Sequence, residues 1–320
     1  MRLLMMGTGP FAVPTFRALL DSPHEVLALV TRPTPLAKGR EKASLNPMRD
    51  LAEERGLAVY APESINTEEA KAKLREWNAD LFVVCDYGQI LSRSALGIAP
   101  LGGINLHASL LPKYRGAAPI NWAILEGEQE TGITVIHMTP RLDGGPCLVV
   151  TKTPIGPEET QVELEQRLSE MGVTAVLDAV EQLAKWDRVS PIGSRQAADQ
   201  VTKAPRLAKT DGQIDWTKSA AFIQRQVRAL KPWPTTYTHW LRPVGEPLRV
   251  IVDRVTVVNE PAEAEPGKVI TSDGQKLVIA TGEGCLAINA LQPAGKRVLQ
   301  ISEFLRGYPV KPGDHFGRVG

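Results

Sequence analysis

Leu3-Leu4-Met5-Met6-Gly7-Thr8-Gly9-Pro10-Phe11, followed by amphipathic spacing over 14–20, decides the fold class. An apolar run entering two glycines and leaving into helical periodicity predicts a strand, a tight turn and a helix. The alternation repeats: 25–31 predicts a strand, 47–55 a helix, and 81–85 and 103–107 two further strands. Strands alternating with helices predict a Rossmann-like, doubly wound α/β domain. Residues 160–186 place Val162, Leu168, Met171, Val176, Val180 and Leu183 near helical spacing and close that domain with a packed helix.

Beyond it the pattern changes. One helix is expected over 218–230, then short strands at 249–258, 267–271, 276–280 and 285–291, separated by Gly, Pro and Asp turns. Short, evenly spaced strands predict a small, OB-like β-barrel. The polar stretch 190–205, broken by Pro191 and Gly193, predicts a linker between a catalytic domain over 1–189 and a second domain over 206–320. Charge divides at the same place: residues 1–205 hold 21 Lys and Arg against 25 Asp and Glu, and residues 206–320 hold 16 against 11. The net charge of +1 excludes a uniformly basic coat, so a polyanion has to be met locally. Cys85, Cys147 and Cys285 form no CxxC pair, which predicts neither a disulfide framework nor a cysteine metal site and fits a reducing cytoplasm. The apolar run of four before Gly7 is too short for a secretory core or a membrane span.

The glycine turn is not a dinucleotide fingerprint. Ala12 is tolerated at the sixth position, but Pro10 has no N–H for a pyrophosphate, and Val30-Thr31-Arg32 offers no acidic residue for a ribose. A turn beside some other ligand is the expectation.

The chemistry-bearing stretch is Asn105-Leu106-His107-Ala108-Ser109-Leu110-Leu111-Pro112. Asn105 and His107 leave a strand by one face. A carboxamide N–H and an imidazole N–H side by side can stabilise the oxyanion that develops in acyl transfer. The same pair also fits a buried, satisfied histidine beside a strand-end asparagine. Ser109 admits a serine nucleophile, although no Gly-x-Ser-x-Gly elbow surrounds it. Asp143, ahead of Gly144-Gly145 after a strand-like run, sits where a returning loop presents a carboxylate. Beside His107 it would orient the ring and favour its charged form.

Asn105, His107 and Asp143, with Ser109–Pro112 and Arg115-Gly116-Ala117-Ala118-Pro119-Ile120, resemble the folate-dependent formyltransferases. Asp211-Gly212-Gln213-Ile214-Asp215-Trp216, Lys231-Pro232-Trp233-Pro234 and Leu291-Gln292-Pro293-Ala294-Gly295-Lys296-Arg297 are similar to members of that family acting on methionyl-tRNA, and the resemblance spans essentially the whole chain. It implies transfer of a formyl group from 10-formyltetrahydrofolate to the α-amine of methionyl-initiator tRNA, without a metal. By that resemblance Asn105, His107 and Asp143 are catalytic, and Tyr87, Gly88, Ser109, Leu110, Leu111 and Pro112 bind the donor. Lys38, Arg40 and Lys42 would meet the tRNA acceptor end. Arg225, Arg228 and Lys231 at helical spacing, with Lys296 and Arg297 after a glycine turn, would meet phosphates. An amino-sugar nucleotide acceptor, or tRNA binding without catalysis, are the competing readings. The chain departs from the family pattern at Gly9-Pro10, at Asp86 and at Gly144-Gly145-Pro146.

Overall fold

The computed structural model describes residues 1–34, 46–258 and 264–319. In chain order its first part runs β1 (Arg2–Gly7), α1 (Val13–Leu20), β2 (Glu25–Val30), α2 (Pro47–Glu54), β3 (Ala58–Tyr60), α3 (Glu68–Trp77), β4 (Leu81–Cys85), α4 (Arg93–Leu96), β5 (Gly103–His107), β6 (Arg115–Gly116), α5 (Pro119–Glu126), β7 (Glu130–His137), β8 (Cys147–Pro154), α6 (Gln161–Ala184) and β9 (Lys203–Ala204). The main sheet has the order β3-β2-β1-β4-β5-β7-β8. β1 and β4 are continuous apolar runs, buried except for Arg2, as strands covered on both faces must be. The first five strands are parallel; β7 joins β5 antiparallel, and β8 joins β7 antiparallel. The strand order reverses between β1 and β4. A doubly wound sheet therefore opens a crevice at their carboxyl ends.

The sequence reading missed α3, although Thr67 caps it by accepting from the Ala70 N–H and Glu68 and Glu69 occupy its first turn. It also missed β3 and β8. The three residues of β3 are too few to show a period, and the short apolar run that opens β8, Cys147-Leu148-Val149-Val150, gives way to Thr151-Lys152-Thr153 on a largely exposed edge strand.

The chain divides into two compact units, neither contiguous in sequence: Met1–Pro119, Glu130–Pro154 and Leu164–Pro205, then Ile120–Gln129, Ile155–Glu163 and Arg206–Gly320. The stretch expected to be a linker, 190–205, is bonded into the first unit. Ser194 and Cys147 exchange both backbone hydrogen bonds at 2.8 Å, and β9 pairs parallel with β6. Pro, Gly and polar residues mark the absence of regular structure there, not the absence of partners.

The second unit continues with α7 (Ala220–Ala229), β10 (Tyr237–Leu241), β11 (Leu248–Val258), β12 (Val269–Ser272), β13 (Leu277–Ala280), β14 (Cys285–Pro293), β15 (Leu299–Gln300), α8 (Ile301–Gly307) and β16 (His315–Gly317). Its sheet has the order β12-β13-β14-β11-β10-β16, with antiparallel neighbours throughout. The Val269 N–H donates to Asp314 O and the Phe316 N–H to Gly267 O, each at 2.8 Å, so β12 meets β16 and the sheet closes on itself. Inside lie Trp216, Trp240, Leu277, Leu286, Phe304 and Phe316, with Ile223 and Val227 of α7. The two buried indoles are satisfied by Thr238 Oγ1 at 3.0 Å and Asp314 Oδ2 at 3.1 Å.

Candidate active site

β5 presents Asn105 and His107 from one face while Ile104 and Leu106 are buried on the other. β7 leaves the sheet at His137, and the following loop brings Asp143 back to that face. Asp143 holds a positive φ of 46°, a backbone region that short polar side chains tolerate better than most. Its Oδ1 lies 3.5 Å from Asn105 Nδ2, and its Oδ2 accepts from the Gly116 N–H at 2.9 Å and lies 3.8 Å from His107 Nδ1. The imidazole and the carboxylate are nearly sealed, with side-chain exposures of 6% and 9%, while Asn105 is only half-buried. The three residues singled out from sequence thus meet at one point.

His107 Nε2 lies 2.9 Å from Tyr114 O, which can only accept, so this nitrogen carries a hydrogen. Nδ1 is therefore the nitrogen left to face the site. Asn105 keeps a second amide hydrogen beyond the one directed at Asp143. A neutral donor, a ring nitrogen and a carboxylate converge where an acyl oxygen could be polarised.

Three supporting roles were not legible in the sequence. Gly116 supplies the N–H that fixes Asp143, and its φ of 132° is glycine territory; a Cβ there would stand 2.3 Å from Ala204 O. Gln196 Nε2 donates to Asp143 O at 2.8 Å and to Gly145 O at 2.7 Å, while its Oε1 accepts from Arg115. Thr202 Oγ1 accepts from the Tyr114 N–H at 2.8 Å, steadying the carbonyl that His107 uses. Gln196 and Thr202 lie in the presumed linker, where composition gives no signal for them.

The residues expected at the donor divide in two. Ser109 is fully buried, its hydroxyl donates to Lys113 O at 2.7 Å and its carbonyl accepts from Thr134 Oγ1, so it is neither a nucleophile nor a side-chain ligand. Leu111 is buried, while Leu110 and Pro112 are partly exposed. The Tyr87 ring belongs to the core with Leu4, Met6 and Val84, and burial pushes its hydroxyl up; only its backbone and that of exposed Gly88 are available. Asp86 protrudes at the switch point. Desolvation and then Glu165 raise its carboxyl to about 6, against the pull of Arg32 and the Gly9 N–H.

The expected phosphate contacts fare differently. Lys38, Arg40 and Lys42 lie outside the described residues. Arg225 Nε donates to Leu125 O at 3.0 Å, and Arg228 donates to Gln224 Oε1 at 3.1 Å and Glu159 O at 2.7 Å, so both guanidinium groups tie α7 to its own unit. Burial lowers the Arg228 value. Lys231 pairs with Asp253 at 3.1 Å, and exposed Arg297 pairs with Glu303. Lys296 is exposed. Helical spacing of arginines does not distinguish a face turned to water from one committed to backbone carbonyls.

The family model described as formyl transferase matches residues 1–180, and the one for the formyl transferase C-terminal domain matches 206–309. The chain belongs to the formyl transferase family. A family member from Rhodopirellula baltica, named methionyl-tRNA formyltransferase, is 48% identical over 98% of this chain and 96% of its own length. One of the same name from Hydrogenovibrio crunogenus is 39% identical over 95% of each. Among solved structures, the sugar 3N-formyl transferase WlaRD superposes with a TM-score of 0.65 at 16% identity, covering 93% of this chain and 99% of that one. HypX from Aquifex aeolicus, solved with tetrahydrofolic acid, gives 0.61 at 18% identity over 100% of this chain and 51% of that one. At such identities these two likenesses speak for the shared family fold.

Proposed function

We propose that the protein transfers the formyl group of 10-formyltetrahydrofolate to the α-amino group of methionyl-initiator tRNA in the cytoplasm. The observation that carries this reading is the meeting of Asn105, His107 and Asp143 in a chain 48% identical, over 98% of its length, to a protein named for that activity. The residues suit a flat heteroaromatic donor. Ile90 on the loop after β4 and Leu142 beside Asp143 are 61% and 52% exposed, leaving apolar groups uncovered on the Tyr87-Gly88 loop and on the loop that carries Asp143. The backbone of Tyr87 and Gly88, with Leu110, Leu111 and Pro112, would hold it. When bound, 10-formyltetrahydrofolate supplies a formyl carbon on a nitrogen that an amine can displace.

The chain's own groups do the rest. The free amide hydrogen of Asn105 and, from the imidazolium form of the ring, the Nδ1–H of His107 donate toward charge growing on the formyl oxygen. Tyr114 O and Asp143 prevent the imidazole from turning, and Gly116 prevents Asp143 from turning. Asp143 Oδ1, held among the described residues only by the long contact to Asn105, is the oxygen able to receive the proton that the amine loses. Lys296, exposed and without an ion pair among the described residues, is the foremost candidate tRNA contact, and Arg297 is the other exposed one. The test is transfer of labelled formyl groups to charged initiator tRNA, with charged elongator tRNA and an amino-sugar nucleotide as controls. Equal labelling of a sugar nucleotide, or none of the initiator, overturns the reading.

A further inference from the structure

At the switch point between β1 and β4, the position where doubly wound folds accept phosphate is already occupied. A Cβ built on Gly9 would stand 1.8 Å from Asp86 Oδ2, so the carboxylate lies directly against the turn. The Gly9 N–H favours its charged form, and the Thr8 N–H donates to the Asp86 carbonyl at 3.1 Å, fastening the loop that carries the carboxylate to the turn. Asp86 holds a positive φ of 48°, which aims the side chain back over the turn. Arg32 is the facing cation and Glu165 of α6 the facing anion.

We infer that Asp86 is a specificity-determining residue: its carboxylate fills the anion-accepting position over the Gly9 turn and turns small phosphorylated acceptors away from the switch-point crevice. A phosphomonoester placed there meets a like charge at a few ångströms and finds the space over the turn already filled. A neutral acceptor end bearing hydroxyl or amine donors meets a hydrogen-bond acceptor instead. The inference deepens the proposed function, since it rests on that reading for the identity of the admitted acceptor, but the exclusion itself belongs to Asp86 and Gly9 alone.

Calorimetric titration of the full chain with inorganic phosphate and with adenosine 5′-monophosphate tests it without any transfer assay. Asp86→Ala leaves the Gly9 N–H and Arg32 unopposed and is expected to bind both probes at least about fivefold more tightly than the parent, the weakest outcome for two unit charges at contact in water. Asp86→Asn keeps the bulk and removes the charge, so it separates repulsion from filling. A gain below fivefold in both variants overturns the inference. Gly9→Ala supplies a second readout, because it is expected to lower the melting temperature of the parent and to be tolerated in Asp86→Ala. Equal losses in the two backgrounds overturn the placement of the carboxylate. Failure to formylate methionyl-tRNA would count against the proposed function and leave these binding results unaffected.

Discussion

Asp143→Asn separates the chemistry of the site from its architecture. The substitution keeps the size of the side chain and suits the positive φ of 46°. The Gly116 N–H requires an acceptor, so the new amide turns its oxygen there, on the side of His107, and its NH2 toward Asn105. Asn105 can meet that NH2 only by presenting its own oxygen, which withdraws its donors from the formyl oxygen. Removing one such donor costs about 10²–10³ in turnover, or roughly 2.7–4 kcal/mol of barrier. Stability changes far less, because a hydrogen bond from Gly116 remains and only its charge assistance is lost, on the order of 1 kcal/mol. Single-turnover transfer at saturating donor should therefore fall at least about a hundredfold, while thermal unfolding shifts by a few degrees. A variant that keeps its rate within fivefold, or loses activity only through unfolding, would refute the argued role of Asp143.

Asn105→Ala should lower turnover by about 10²–10³ and leave tRNA affinity near that of the parent; weakened tRNA binding with intact turnover would contradict it. Gly116→Ala should impair both folding and rate, since its Cβ meets Ala204 O and displaces the N–H that holds Asp143, by about 1–3 kcal/mol of stability; denaturant titration beside steady-state kinetics checks it. Arg228→Ala should destabilise the second unit by about 1–3 kcal/mol, through the acceptors at Glu159 and Gln224 left without their donor, and should leave the salt dependence of tRNA binding unchanged; a shallower salt slope would restore it as a phosphate contact. The Asp86 carboxyl has a folded value of about 6, above its ordinary 3.8, so its contribution to stability is present below about pH 4 and is lost as pH rises through 6. Asp86→Asn should accordingly melt above the parent at pH 8 and approach it near pH 4. Solvent at the crevice mouth weakens the effect, and melting curves across that range test its sign.

Local pattern determined much of this protein before any contact was known. The apolar runs of β1 and β4 are long because both faces of a central parallel strand are covered. The two-residue spacing of Asn105 and His107 fixed their common face, since strand periodicity is a local property. β10 escaped notice: Tyr237-Thr238-His239-Trp240-Leu241 alternates partner by partner, yet it buries a threonine and an indole, where an apolar run was the signal sought. Only tertiary structure decided what the arginines of α7 do, because a guanidinium satisfied by Leu125 or Glu159 carbonyls is spelled like one facing water. Tertiary structure also brought Gly116, Gln196 and Thr202 to the site. Their contributions are a backbone N–H, a carboxamide and a hydroxyl acting on residues up to 88 positions away, and long-range hydrogen bonds leave no periodicity in a sequence.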